Sequence, residues 1–255
     1  MLYIINVGLK LKKKIYNMNG GKKMFKVTIG NSKLNTICQI NLPAILSCRE
    51  DAPCKKQCYV RRGCYNYPNI KNIYQENLET FLNNPSQAEE DILNQLPLMG
   101  FCRIHSSGDF YNEEYFEMIL RIAQKKKKVY FLAFTKKYEL VNDYIMRGGD
   151  IPKNLKIVFS AWLDFPMSNP YRFPVAHYYD PKLKNKIPKS AFPCSGQCDQ
   201  CFICWNLKKR QNVVFMLFLK NIKGGKAMKF GDKLFYFCVG ALFGIGVSLI
   251  WILTL

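Results

Sequence analysis

The sequence predicts an α/β protein built on a full or partial (β/α) TIM-like barrel with Cys-rich metal-binding loops and a C-terminal transmembrane helix. Three observations carry the barrel. Strand-like apolar runs open at Phe101, Val129 and Leu155, and each is followed by a helix-periodic or polar segment. No tight-hairpin signal separates them, so the strands should pair in parallel through right-handed crossovers. Each run also empties into polar residues, and the carboxyl ends of parallel strands are where α/β proteins place their chemistry.

In chain order, residues 1–26 carry seven Lys and no acid and read as a basic extension broken at Asn19-Gly20-Gly21. The α/β domain is expected over residues 27–207. Phe25–Ile29 alternates, and Asn35–Leu42 (NTICQINL) reads as a strand stopped by Pro43. Ile70–Leu82 has helical spacing and ends at Asn83-Asn84-Pro85. Ser86 with Glu89 forms a capping box for Gln87–Leu96. Phe101–Phe116 (FCRIHSSGDFYNEEYF) runs from strand through a polar turn into the helix Glu113–Gln124, which Lys125–Lys128 close at its negative dipole end. Val129–Phe134 and Leu155–Phe159 are further strands, with the helix Tyr138–Met146 between them, ended by Gly148-Gly149. After Asp164 the pattern fails, since Pro166, Pro170, Pro174, Pro181 and Pro188 discourage helices and Tyr171–Tyr179 is aromatic.

The net charge of +20 invites a nucleic-acid partner. Most of the excess lies in the flanks. Residues 208–233, read as a basic linker, hold eight Lys or Arg against Asp232, whereas the body over 27–207 holds 23 basic against 17 acidic residues. The last 22 residues, 234–255, are free of charge, long enough to span a bilayer, and preceded by Lys220, Lys223, Lys226, Lys229 and Lys233. They predict a single-pass, cytoplasm-facing membrane protein with the membrane as a partner. The N-terminal apolar run precedes its charges, the wrong order for a signal peptide, so the eleven Cys are expected in a reducing compartment.

There, clustered Cys point to metal. Cys48, Cys54, Cys58 and Cys64 stand among Arg49, Lys55, Lys56, Arg61 and Arg62, a setting expected to lower thiol pKa. Cys194, Cys198, Cys201 and Cys204 fall within eleven residues, at intervals nearer to iron–sulfur ligation than to zinc. A 4Fe–4S cluster is therefore the expected cofactor and zinc the alternative. The strand ends supply candidate catalytic residues: His105 as acid, base or ligand, Ser107 beside it, Asp109 as base, nucleophile or substrate acceptor, and Lys136 as an anion clamp. Ser160 at the next strand end is the candidate cofactor-binding residue. Gly108 signals a special backbone conformation.

The blocks INLPA, APCKKQCYVRRG, RIHSSGDFYNEEYF, VYFLAFTKKYELV, PKNLKIVFSAW and CSGQCDQCFICW resemble the phage gene product 88 family over about residues 27–207. A second phage-associated family shares the serine–aspartate and TK blocks, and that family in turn resembles radical S-adenosylmethionine enzymes. The resemblance implies an iron–sulfur enzyme acting on a nucleotide or nucleic-acid base, with S-adenosylmethionine as cofactor. Cys48, Cys54 and Cys58 would lie in the cluster region, although their spacing departs from CxxxCxxC. Cys194, Cys198 and Cys201 follow that spacing and resemble an auxiliary cluster completed by Cys204. Two other readings stand beside it. One is a transglycosylase-like base-modifying enzyme with structural zinc, in which Asp109 grips or attacks the base or ribose. The other is a non-enzymatic module whose metal sites staple a nucleic-acid-binding surface.

Overall fold

Eight strands form one open sheet in the computed structural model, in the order β1-β2-β3-β4-β5-β6-β8-β7. The structure describes residues 23–216 apart from 32, 164 and 180–186. The strands are β1 (Thr28–Ile29), β2 (Cys38–Ile40), β3 (Gly100–Ile104), β4 (Val129–Thr135), β5 (Leu155–Ala161), β6 (Val175–Tyr179), β7 (Phe192–Pro193) and β8 (Asn212–Met216). Only β1–β2 is antiparallel; the other neighbours run parallel, as expected of βαβ units.

The expected barrel does not form. β1 and β7 are the two edges, and they do not pair with each other. A closed (β/α) barrel needs a helix after each strand. Here the last helix longer than one turn among the described residues precedes β5. β8 also takes up the first part of the segment read as a linker.

Helices α1 (Pro68–Asn83), α2 (Pro85–Gln95), α3 (Glu113–Lys125) and α4 (Tyr138–Met146) cover one face. Strand alternation sends Cys38, Ile40, Cys102, Ile104, Phe131, Ala133, Ile157 and Phe159 to meet Phe81, Ile92, Phe116 and Tyr138 there. Burying each of the phenylalanines stabilises the fold by about 2–3 kcal/mol. Pro68 and Pro85 open their helices at positions where a missing N–H costs nothing. The expected Ser86–Glu89 box is replaced by Asn84, whose Oδ1 accepts the Gln87 N–H at 3.0 Å. Glu89 instead joins α2 to α3 by accepting from Arg121 (2.9 Å) and Lys125 (2.7 Å). Asn112 caps α3, its Oδ1 accepting the Tyr115 N–H at 2.9 Å.

The opposite face carries a second core. Leu132, Val158, Ala176 and Val213 pack with Leu34, Ile37, Trp205 and Leu207. The chain that covers it includes two one-turn helices, α5 (Cys198–Cys201) and α6 (Ile203–Asn206), joined at Phe202 in the left-handed region (φ 49°). Trp205 is fixed there by donating Nε1–H to the Tyr130 carbonyl at 3.0 Å.

No described helix is long and apolar enough to cross a membrane; the longest, α1, has 16 residues, against the roughly 20 that a bilayer requires. The charge-free stretch 234–255 lies outside the described residues. Among the described residues, the expected transmembrane helix, membrane partner and cytoplasm-facing anchored topology find no element to carry them.

Candidate functional site

The carboxyl ends of β2, β3, β4 and β5 converge in one polar network. Its centre is the turn after β3. His105 takes φ 59° and Gly108 φ 88°. A Cβ on Gly108 would sit 2.5 Å from Ser47 Oγ and 2.9 Å from the Leu42 carbonyl, so the glycine is required twice over. The close approach lets Ser107 Oγ donate to the Leu42 carbonyl (2.9 Å) and Ser47 Oγ accept the Asp109 N–H (3.1 Å). Asn41 Oδ1 accepts from the Ser107 N–H (3.0 Å) and from Ser106 Oγ (3.1 Å), and Ser106 also bonds Gln39. Ser107 is thus a buried tie between two loops, with its hydroxyl committed.

Asp109 is buried, and its carboxylate is fully engaged. Oδ1 accepts from Thr135 Oγ1 (2.7 Å) and the Phe110 N–H (2.8 Å), and Oδ2 from the Lys136 N–H (2.9 Å). Burial pushes its pKa up, while these donors and the Lys136 charge pull it down. Thr135 Oγ1 in turn accepts the Lys137 N–H at 2.9 Å. The result is a rigid turn after β4 that aims Lys136 across the sheet. Its Nζ donates to Ser160 Oγ at 2.8 Å and lies 5.6 Å from the Trp162 ring centroid. Trp162 is stacked on Tyr178 at 4.3 Å. Lys136 makes no ion pair among the described residues. By contrast, Arg49 is neutralised by Asp51 and Glu139, and its NH1 also donates to the Lys136 carbonyl at 3.1 Å.

His105 points the other way, into the helix-side core. It stacks on Tyr115 and meets Phe110 edge-on. Its Nε2 lies 3.3 Å from the Tyr115 hydroxyl, and its Nδ1 is sealed without a partner. Burial pushes its pKa down to about 3, helped by the charges of Arg103 and Lys137. The structure therefore brings together Asp109, Lys136 and Ser160, joins Ser107 to them through the backbone, and separates His105.

The metal expectation is corrected. Among the described residues no group of three or more His, Cys, Asp or Glu is placed to hold a metal ion. Cys54, Cys58 and Cys64 ride on a loop of three successive 3-10 turns, Pro53–Gln57, Tyr59–Arg61 and Gly63–Asn66, with Cys48 in a bend before it, and Cys64 is exposed. The expected drop in thiol pKa fails at Cys48 and Cys54. Burial pushes Cys48 up to about 11, with the charges of Asp109, Cys54 and Cys58 acting in the same direction, and burial raises Cys54. These thiols are near enough to influence one another, yet they do not converge as ligands. Cys194, Cys198 and Cys204 pack against the second core as small apolar groups. Burial raises Cys198 and pushes Cys204 up to about 12. The 4Fe–4S cluster, the zinc alternative and the S-adenosylmethionine that such a cluster would anchor all lose their ligand set. With them go the iron–sulfur enzyme, the zinc-containing transglycosylase-like enzyme and the metal-stapled module.

One residue escaped the sequence reading. Arg103 lies in β3 between Cys102 and Ile104, pointing to the second face, with its guanidinium 4.0 Å from the Phe134 ring centroid. The available signal was a cation alternating with apolar residues in a strand whose parallel sheet is covered on both faces.

Fold and site together define an open, mainly parallel α/β protein with a polar, cation-bearing carboxyl edge. The chain belongs to the gene product 88 family, which matches residues 9–165. The match begins inside the basic extension and ends before the second Cys cluster, a different span from the 27–207 suggested by the sequence blocks. No curated protein and no solved structure matches the chain.

Proposed function

We propose that the carboxyl edge of the sheet binds a single nucleic-acid strand through its phosphates. The observation that carries this reading is Lys136. Its ammonium is held by a serine hydroxyl over an indole ring and has no carboxylate partner among the described residues. An ammonium held in this way is a ready contact for a phosphate oxygen. The loop 53–67 adds Lys55, Lys56, Arg61 and Arg62, none of them in an ion pair among the described residues. The same loop exposes Tyr67 (59%) and most of Tyr59 (60%), whose hydroxyl alone turns inward to donate to the Ser106 carbonyl at 2.5 Å. Cations interleaved with exposed aromatic rings suit a strand whose bases are free to stack. Asp109 is then a positioning residue that fixes the β4 turn, and Ser160 orients the ammonium. The likeness to radical S-adenosylmethionine enzymes has no part in this reading, because the described residues bring no three cluster ligands together.

Fluorescence anisotropy with a labelled single-stranded oligonucleotide across a salt series tests it. Binding should weaken steeply with salt. Lys136→Ala should lower affinity for every sequence alike and reduce the logarithmic salt slope by about 1. Binding that ignores salt, or a Lys136→Ala protein that binds as tightly as wild type, overturns the reading.

A further inference from the structure

We infer that Arg103 forms a second anion site on the same sheet face, one that takes the phosphomonoester at the end of a strand. This rests on the strand-binding reading above and narrows its ligand to a phosphate-terminated one. Phe134 links the two positions. The Arg103 guanidinium lies on the Phe134 ring, and Lys136 follows Phe134 by two residues on the same face, about 7 Å further along the strand direction.

The guanidinium makes no hydrogen bond or ion pair among the described residues. Its Nε is sealed from solvent without a partner, while the residue as a whole keeps part of its surface accessible. Buried guanidinium groups are otherwise paired, because an unpaired buried charge is costly. The groups whose charges reach it are Tyr59, Tyr65, Cys198 and Cys204, with no carboxylate among them. None of these can neutralise it at neutral pH. Burial raises the Tyr59, Tyr65 and Cys198 pKa values and pushes Cys204 up to about 12. The site is thus a planar, always-charged fork on an aromatic ring, with neutral hydroxyls and thiols around it and no counter-charge.

Such a fork matches the oxygens of a carboxylate or phosphate in bidentate fashion. Its position selects the terminal form. Arg103 lies between Phe101, which Phe202 and Trp205 cover, and the β3 turn, where the Tyr59 hydroxyl reaches the Ser106 carbonyl, and its Nε is sealed from solvent, so the site suits a group that ends there better than one that passes through. A strand end need only enter, whereas an internal diester must also leave. A monoester further carries close to two charges and three terminal oxygens for the fork.

The test compares oligonucleotides of one sequence that carry a phosphate at the 5′ end, at the 3′ end or at neither, with wild type and Arg103→Met. Wild type should bind one phosphorylated form about ten- to hundred-fold more tightly than the unphosphorylated form, as expected of a charge-assisted pair. Arg103→Met should abolish that difference. In parallel, inorganic phosphate should raise the Tm of wild type and of Lys136→Ala by more than that of Arg103→Met. In phosphate-free buffer Arg103→Met should match or exceed the wild-type Tm, which shows that it folds. Equal affinity of wild type for all three oligonucleotides overturns the strand-end assignment. Equal phosphate shifts in wild type and Arg103→Met overturn the anion site. If no oligonucleotide binds but the phosphate shift still depends on Arg103, the strand reading fails and the anion site stands.

Discussion

The Asp109 carboxylate accepts the backbone N–H of Lys136 at 2.9 Å, while the Lys136 ammonium donates to Ser160 Oγ at 2.8 Å. A buried acid after one strand thus sets the direction of a cation after the next. Asp109→Asn separates the charge from the shape. An asparagine oxygen can still accept from Thr135 and Phe110, but its NH2 then faces the Lys136 N–H, donor against donor. The variant should lose about 1–3 kcal/mol of stability in urea unfolding. It should also weaken oligonucleotide binding in the same sequence-independent way as Lys136→Ala. Wild-type affinity in a folded Asp109→Asn protein would show that the turn does not position Lys136.

Gly108 and Gly148 have nearly the same φ, 88° and 87°, but different surroundings. A Cβ on Gly148 meets nothing within 4 Å, whereas on Gly108 it meets Ser47 Oγ and the Leu42 carbonyl. Gly148→Ala should therefore cost only the left-handed conformation, about 1–2 kcal/mol. Gly108→Ala adds a backbone collision and should cost about 2–4 kcal/mol. Equal losses in thermal unfolding would mean that the loop carrying Ser47 yields freely.

Strands β2 to β5 and helices α1 to α4 were legible from local pattern, a short apolar run such as VYFLAFT for a strand covered on both faces and a period near 3.6 in EEYFEMILRIAQK. β6 and β8 were not. Val175–Tyr179 follows a proline and Asn212–Met216 lies in a basic segment; β6 is a strand through pairing with β5 and β8, and β8 through pairing with β6 and β7, which is non-local. The site divides in the same way. Asp109, Lys136 and Ser160 stood out by type and place, but Asp109's task depends on which N–H groups the neighbouring strand presents. His105 looked chemical because it sits in a polar run, yet φ 59° turns its ring toward Phe110 and Tyr115. The Cys clusters were visible and their spacing misleading. Spacing constrains the backbone only, and a one-turn helix followed by a left-handed Phe202 puts Cys198 and Cys204 to packing instead.

His105 makes stability depend on pH. Its folded pKa, pushed down to about 3 by burial, lies below the 6.5 of a free histidine. Below pH 6.5 the unfolded chain takes up a proton that the folded chain refuses, so stability falls with acid through that window and is retained above it. The slope is about 1.4 kcal/mol per pH unit. His105→Asn keeps a residue that tolerates positive φ and removes the titration. Between pH 7.5 and 4.5 wild type should lose about 2–3 kcal/mol more than the variant in urea midpoints. Parallel pH curves for the two proteins would show that the histidine is not held neutral.

The thiols should differ in reactivity according to burial rather than to any shared ion. Alkylation needs the thiolate. Cys64 is exposed and should react first. Cys48, pushed up to about 11, and Cys204, pushed up to about 12, lie well above the 9.0 of an ordinary cysteine. At pH 8 the Cys48 thiolate is about a thousandth of the total, roughly a hundred-fold less than for an unshifted thiol. Cys102 is buried, burial raises its pKa well above the ordinary value, and it should react only on unfolding. Site-resolved mass spectrometry after timed iodoacetamide treatment gives the order directly. A strong chelator should leave both that order and the Tm unchanged, since no described group of ligands holds an ion whose loss would release thiolates. A burst of reactivity at Cys194, Cys198 and Cys204 on chelation would contradict the packing role assigned to them and restore a ligand set that the described residues do not assemble.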